Sequence, residues 1–213
     1  MSWLPADDPV LGDKRSCDAL ELVVVARSHD RGVTWEAPIR PREDGWVYPG
    51  CPHAGPSLKV GSDGVVHIAW WTGKEGEAGV YYAHSGDRGM NFSAEPIAVG
   101  ETSTPAHVQL ALSDSSVAVV WDDGLSELPG ILLRVSPDGG GRFGPTTRVS
   151  APGSAASFPV IGAWGDSLLV AWTQVGEATH RAELASKRSH NGGSTPLPRV
   201  GQSEILVRVG SFR

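Results

Sequence analysis

Two histidines stand in similar local sequences and could contact one ligand. His53 lies within Gly50-Cys51-Pro52-His53-Ala54-Gly55-Pro56 and His107 within Thr104-Pro105-Ala106-His107-Val108, 54 residues further on. Imidazole nitrogens bind acidic or hydroxylated ligands, and with Cys51 they could hold a metal ion. Hydrogen bonds to the loop backbone would explain both residues as well. We treat His53 and His107 as ligand-binding candidates and predict neither a metal site nor a cofactor.

Carboxylates form a second candidate group. Asp122 and Asp123 directly follow an apolar run that ends at Trp121, and similar loops carry further acids, namely Asp7, Asp8, Glu75, Glu77 and Glu127. Paired acids could support general acid–base chemistry, although solvated loop charges explain them equally simply. Tyr48 precedes His53 in the same loop. Tyr48 and Asp122 are therefore weak catalytic candidates, and Asp123 and Arg40 join the ligand-binding group.

The composition restricts the class of protein. The chain has 213 residues and a net charge of −6, with 27 Gly, 16 Pro and 8 Trp, as expected for many short strands joined by tight turns. The acidic balance and the lack of a basic cluster argue against nucleic acid as a partner. No apolar stretch is long enough to span a membrane, and no secretory signal is visible. Cys17 and Cys51 could be two thiols or a disulfide.

The elements that would position these groups repeat along the chain. Three apolar runs end in Trp70, Trp121 and Trp172, each 51 residues after the previous one. Other strand-like runs lie before and after them, bounded by Gly, Pro and Asp. In the third unit these runs include 181–187 and 196–200. Each unit reads as four strands, so the repeat predicts an all-β fold built from one supersecondary unit per period.

A turn motif repeats with the same period. Ser28-His29-Asp30-Arg31-Gly32-Val33-Thr34-Trp35 returns in degenerate form at 85–92, 136–143 and 189–195. The Asp can accept backbone N–H bonds and the Gly can adopt a positive φ, so the motif suits a tight turn closed by an aromatic residue. We expect these residues to be structural: Ser28, Asp30, Gly32, Trp35, Ser85, Asp87, Gly89, Phe92, Ser136, Asp138, Gly140 and Phe143. The fourth copy, with Asn191 for Asp, should be the loosest.

This motif resembles the Asp box, or bacterial neuraminidase repeat, of the sialidase-like β-propellers. The resemblance implies four-stranded antiparallel blades, with each box between the third and fourth strands on the face opposite the ligand site. One domain would cover 1–213: a half blade at 1–44, blades at about 51–100, 104–150 and 155–201, and an extra strand at 204–210. The family is often secreted or periplasmic, but the sequence leaves the compartment open.

The sequence accounts for about four blades, and two interpretations of this number are open. The family is typically six-bladed, so we favour a partial six-bladed propeller. The alternative is a small ring closed by the C-terminal strand beside the N-terminal half blade. An open arc would expose unpaired strand edges, and such a chain could self-associate.

The resemblance also sets expectations for function. A sialidase would bring an arginine triad, an Arg-Ile-Pro motif, an acid/base Asp and a Tyr nucleophile paired with Glu. Arg-Ile-Pro is absent, and 38–42 reads Pro-Ile-Arg-Pro-Arg instead. We therefore predict a module that binds a glycan or a protein through the loops at the propeller mouth. The alternative is an exo-sialidase-type glycoside hydrolase, or a truncated remnant of one.

Overall fold

The computed structural model describes residues 23–43, 45–46, 54–100, 106–124, 127–189 and 204–212. Within these ranges the chain forms antiparallel strands and one helix. Sheet 1 has the order β1-β2-β3-β4, sheet 2 the order β5-β6-β7-β8, and sheet 3 the order β11-β10-β9. The elements are β1 Ser57–Val60, β2 Val66–Thr72, β3 Gly79–Ser85, β4 Ser93–Val99, β5 Gln109–Ser113, β6 Ser116–Asp123, β7 Gly130–Ser136, β8 Thr147–Arg148, β9 Ser154–Trp164, β10 Ser167–Gly176, α1 Glu177–Ser189 and β11 Glu204–Ser211.

The sheets pack face to face in the order of the sequence. Successive side chains of a strand point to opposite faces, so a strand that is covered on both sides reads as a continuous apolar run. Strand β2 shows this pattern, because all seven of its residues are buried. Ile68 and Trp70 pack towards Val25, whereas Ala69 and Trp71 pack towards sheet 2. Four-stranded antiparallel sheets stacked in this way form a propeller-like fold.

Each sheet contributes one apolar face to each of its neighbours. Sheet 1 meets sheet 2 through Val80 and Tyr82 on one side and Leu110, Val119 and Trp121 on the other. Sheet 2 meets sheet 3 through Val120 and Ile131 against Val170, Trp172 and Leu206. On the far side of sheet 1, Val25 and Ile39 of the 23–43 segment pack against Ile68 and Trp70, and an isolated bridge pairs Val25 with Ile39.

Three copies of the predicted turn have the same hydrogen bonds. In the first copy the Ser28 hydroxyl donates to Asp30 Oδ1 at 2.8 Å and accepts from the Gly32 N–H at 2.7 Å. The Ser85 hydroxyl likewise bonds Asp87 and Gly89, and the Ser136 hydroxyl bonds Asp138 and Gly140. We call these the first, second and third Ser-x-Asp turns, at 28–35, 85–92 and 136–143. The fourth predicted copy lies largely outside the described residues.

In each turn two consecutive residues adopt a positive φ. Arg31, Arg88 and Gly139 hold the first position with φ of 62°, 61° and 71°, and Gly32, Gly89 and Gly140 hold the second with 88°, 80° and 97°. A residue with a Cβ can adopt a φ near 60°, as Arg31 and Arg88 do, but a φ of 80–97° lies outside this region, so the second position requires Gly.

Sheet 3 departs from the prediction. A strand was expected at Arg181–Lys187, but these residues lie in helix α1. The neighbour of β10 is instead β11, from further along the chain. The extra strand expected at 204–210 is thus paired within sheet 3. Closure of a ring beside the N-terminal half blade stays a prediction, because residues 1–22 lie outside the described part of the chain. The expected fourth strand at 196–200 lies outside the described residues, as do Cys17 and Cys51.

Strand β11 takes the position of a third strand. Arg208 pairs in register with Val170, as Arg134 of β7 pairs with Val119. The guanidinium group of each arginine donates to a backbone carbonyl at the end of the preceding sheet: Arg134 to Ile97 and Arg208 to Val149, the latter at 2.6 Å. A distant segment thus reproduces the inter-sheet contact of sheet 2. The division of the chain into blades stays a prediction.

Candidate functional site

The candidate site lies where sheets 2 and 3 meet at one end of their strands. Asp122 is the penultimate residue of β6, His107 lies two residues before β5, and Phe158 lies within β9. Antiparallel pairing sets the end of β6 beside the start of β5, so residues 15 positions apart come together. Alternation along β6 directs Asp122 to the same face as Val120, which packs against sheet 3.

Asp122 accepts three hydrogen bonds. Its Oδ1 accepts from the His107 backbone N–H at 2.7 Å, and its Oδ2 accepts from His107 Nδ1 at 2.7 Å and from the Phe158 N–H at 3.0 Å. The Asp122 side chain is only 7% exposed. A buried carboxylate needs such partners to offset its lost hydration. Asp122 therefore joins three separate segments of backbone.

Phe158 covers one side of the imidazole. The ring centroids of His107 and Phe158 are 4.3 Å apart with an interplanar angle of 44°. Phe158 is 58% exposed and has a φ of 56°. A non-glycine residue in this conformation is strained, and such strain is concentrated at functional sites. The hydrogen bond to Asp122 and the contact with His107 hold Phe158 in place.

The Asp122 carboxylate controls the chemistry of His107. The hydrogen bond that His107 donates to Asp122 raises the pKa of His107 above its usual 6.5, against the opposing effect of burial. A carboxylate only accepts hydrogen bonds, so Nδ1 carries a proton and Nε2 is left to meet a ligand. No described residue hydrogen-bonds to Nε2. His107 can thus accept from a hydroxyl when neutral, or donate to an oxygen when protonated.

The other predicted site residues are placed differently. Asp123 follows Asp122 and points to the opposite face of β6 by alternation. Arg40 pairs with Glu43 at 2.9 Å near the surface. Glu77 forms ion pairs with Arg42 and with Lys74. Tyr48 and His53 lie outside the described residues. The structure therefore brings together His107 and Asp122 from the predicted set.

Phe158 was missed as a site residue, although a signal existed. It follows His107 by 51 residues, which is the spacing of the tryptophans, and so holds the equivalent position in the next unit. That spacing indicated that Phe158 lies at the same end of sheet 3 as His107 does in sheet 2.

Other features offer less for a ligand. A cleft of about 270 Å³ between sheets 2 and 3 is lined by Leu133, Arg148, Val170 and Arg208, among others, and by none of the predicted site residues. No group of His, Cys, Asp and Glu in the described ranges could hold a metal ion. No helix in the described part of the chain is long and apolar enough to cross a membrane.

Comparison with solved structures finds similar folds at low sequence identity. An α-L-arabinofuranosidase of Fusarium graminearum matches with a TM-score of 0.53 and 12% identity, over 88% of this chain and 54% of that chain. A PL25 ulvan lyase matches with a TM-score of 0.48 and 14% identity, over 72% of this chain and 40% of that chain. The NanB sialidase of Streptococcus pneumoniae matches with a TM-score of 0.46 and 17% identity, over 86% of this chain and 25% of that chain. This chain thus spans a quarter to about half of each. No family model and no curated protein matches the sequence.

Proposed function

We propose that this chain is a glycan-binding module of the sialidase-like, Asp-box propeller type, and that it binds its ligand at His107 and Phe158. The observation that supports this most directly is the exposed Phe158 ring beside an imidazole whose Nδ1 is held by Asp122. An aromatic face packs against the apolar face of a sugar ring, while a fixed polar atom selects its hydroxyl groups. The site is preorganised, because Asp122 fixes both residues.

The similarity to carbohydrate-active propellers is consistent with this proposal. The solved structures named above are those of enzymes that act on glycans, and one of them, an arabinofuranosidase, shares the fold of this chain with a TM-score above 0.5. A shared fold does not by itself transfer an activity. The proposal therefore depends on the His107–Phe158 site, and the similar fold supports the choice of a carbohydrate ligand.

Binding is favoured over hydrolysis by the state of Asp122. A general acid must present its carboxyl group to the glycosidic oxygen, and a retaining mechanism needs a second carboxylate about 5 Å away. Both oxygens of Asp122 accept bonds from His107 or Phe158, and the side chain is buried. Asp122 is suited to hold His107 and Phe158, and the function we propose requires no proton transfer.

A glycan microarray probed with the purified full chain tests the proposal, followed by calorimetric titration of the glycan that binds best. Phe158→Ala should weaken binding at least about tenfold, because the stacking surface is lost. Trp164→Ala is the matched control: Trp164 is 55% exposed on the same strand, about 20 Å further along. His107→Gln should also weaken binding. Equal affinities for wild type, Phe158→Ala and His107→Gln would contradict the proposal.

A second assay addresses catalysis. Release of 4-methylumbelliferone from its sialic-acid glycoside should stay at the rate of the buffer blank when the folded chain is added. Turnover that is lost in Asp122→Asn would show an enzyme, and would refute the assignment of this site to binding alone.

A further inference from the structure

Among the described residues, the outer edge of strand β11 in sheet 3 has no partner strand. The equivalent third strands β3 and β7 each pair on their outer side with a fourth strand, β4 or β8. No described residue pairs with β11 on that side. Its eight residues run without a bulge against β10 and contain no proline. A long, regular strand edge of this kind is a template for pairing with another strand.

The same strand also presents exposed apolar side chains. Ile205, Val207 and Val209 are 78%, 59% and 63% exposed, and they lie on the face of sheet 3 that points away from sheet 2. Val160 of β9 lies on the same face and is 58% exposed. In sheets 1 and 2 the corresponding face is covered by the next sheet. Within the described ranges, sheet 3 thus combines an unpaired edge with an exposed apolar face.

We propose that a second copy of this chain occupies the edge, with the two β11 strands paired antiparallel across a two-fold axis at Leu206. Sheet 3 and its copy would then form one continuous sheet of six strands. The apolar side chains at 205, 207 and 209 of both copies would share one face. Closed two-fold symmetry is the commonest arrangement of identical chains.

The charged side chains favour the register with Leu206 opposite Leu206. Residues directly opposite each other on the two β11 strands have their side chains on the same face of the sheet. Only registers that place odd-numbered residues opposite odd-numbered ones therefore keep the apolar residues of both copies on one face. With Leu206 opposite Leu206, Glu204 faces Arg208 of the second copy, and this ion pair occurs twice. With Arg208 opposite Arg208, like charges would meet, which is destabilising. The edge is short, so we expect a dissociation constant on the order of 10–100 µM.

Sedimentation velocity of the full chain over a range of concentrations tests the proposal. Wild type should pass from monomer to dimer as the concentration rises. Val207→Lys places a charge in the shared face and should raise the dissociation constant at least about tenfold. Val60→Lys is the matched control, since Val60 is 60% exposed on β1 of sheet 1, and it should dimerise as wild type does. A chain that stays folded and monomeric throughout would overturn the proposal.

Cross-linking tests the register without relying on affinity. Leu206→Cys, in a chain with Cys17→Ser and Cys51→Ser, should form a disulfide-linked dimer on mild oxidation, because opposite residues are about 5 Å apart. Val207→Cys should not form this dimer, because the substituted residues of the two copies would lie two positions apart along the paired strands. Cross-linking of both variants to the same extent, or of neither, would overturn the register. None of these results depends on glycan binding.

Discussion

The hydroxyl of Tyr82 in sheet 1 donates a 3.2 Å hydrogen bond to the carbonyl oxygen of Gly139 in the third Ser-x-Asp turn, which belongs to sheet 2. Arg27 makes the matching contact one unit earlier, with its guanidinium group 3.5 Å from the carbonyl oxygen of Arg88. Arg88 and Gly139 are the same position of the turn. The second and third turns are therefore each fastened to the segment that precedes their own sheet.

Gly140→Ala should destabilise the protein strongly. A Cβ at this position would overlap the hydroxyl and ring of Tyr82, and Gly140 has a φ of 97°. We expect a loss of about 2–4 kcal/mol in the free energy of unfolding, measured by urea denaturation. Gly86→Ala is the control, because no atom lies within 4 Å of the added carbon there. Equal midpoints for the two variants would contradict this account of the turn.

Tyr82→Phe should cost about 1–2 kcal/mol of unfolding free energy. The change leaves the ring against Phe143, with which it makes an edge contact at 5.0 Å, but removes a buried hydroxyl that also lies 2.6 Å from His67 Nδ1. The His67 ring and the Gly139 carbonyl would each lose a partner. An unfolding midpoint equal to that of wild type would show that water replaces the hydroxyl without penalty.

Acid should weaken the Ser-x-Asp turns. Hydrogen bonds from Thr34 and Ser28 lower the pKa of Asp30 from 3.8 to about 2. A carboxyl group with a lowered folded-state pKa contributes stability above pH 4, and this stability is lost as the pH falls towards 2. Asp30→Asn should therefore show a flatter decline of the unfolding midpoint between pH 4 and 2 than wild type. Glu75→Gln removes a carboxylate outside the turns and should follow the wild-type curve.

His107 should give a pH dependence of the opposite sign. Its pKa is raised by Asp122, so its added stability is fully present below pH 6.5 and is lost as the pH rises through the folded-state pKa. His107→Gln should remove this loss when unfolding midpoints are compared from pH 6 to 9. A second histidine has the opposite effect. Burial lowers the pKa of His67, so His67 reduces the free energy of unfolding as the pH falls below 6.5. A wild-type curve parallel to that of His107→Gln would refute the coupling.

The repeat made most of the strands predictable. Each run that ends in Trp70, Trp121 or Trp172 is part of a central strand, because burial on both faces demands continuous apolar residues. The same reasoning failed at Arg181–Lys187, where the 51-residue period favoured a strand but the chain forms helix α1, Glu177–Ser189. That segment reads Glu-Ala-Thr-His-Arg-Ala-Glu-Leu-Ala-Ser-Lys-Arg-Ser and is rich in good helix formers. The helix propensity of these residues therefore determines the structure of this segment, and the 51-residue period does not.

The site was predictable in part. The position of Asp122 after Trp121 indicated the end of a central strand, and His107 preceded the neighbouring strand, so their proximity followed from antiparallel pairing. The three-way bonding of Asp122 could not be predicted, because it depends on the left-handed conformation of Phe158 in the next sheet. The pairing of β11 with β10 was also beyond the sequence pattern, since nothing local marks a distant partner.

The pairing of β11 with β10 also affects the order in which the sheets fold. Six residues separate β2 from β3 and six separate β6 from β7, whereas 27 separate β10 from β11. Closing the longer connection costs about 1 kcal/mol more chain entropy. Sheets 1 and 2 can assemble from local contacts, but the β10–β11 pair has a higher contact order and should form late. Amide hydrogens of β11 should then exchange with solvent sooner than those of β3 and β7, which makes sheet 3 the first part of the molecule to open.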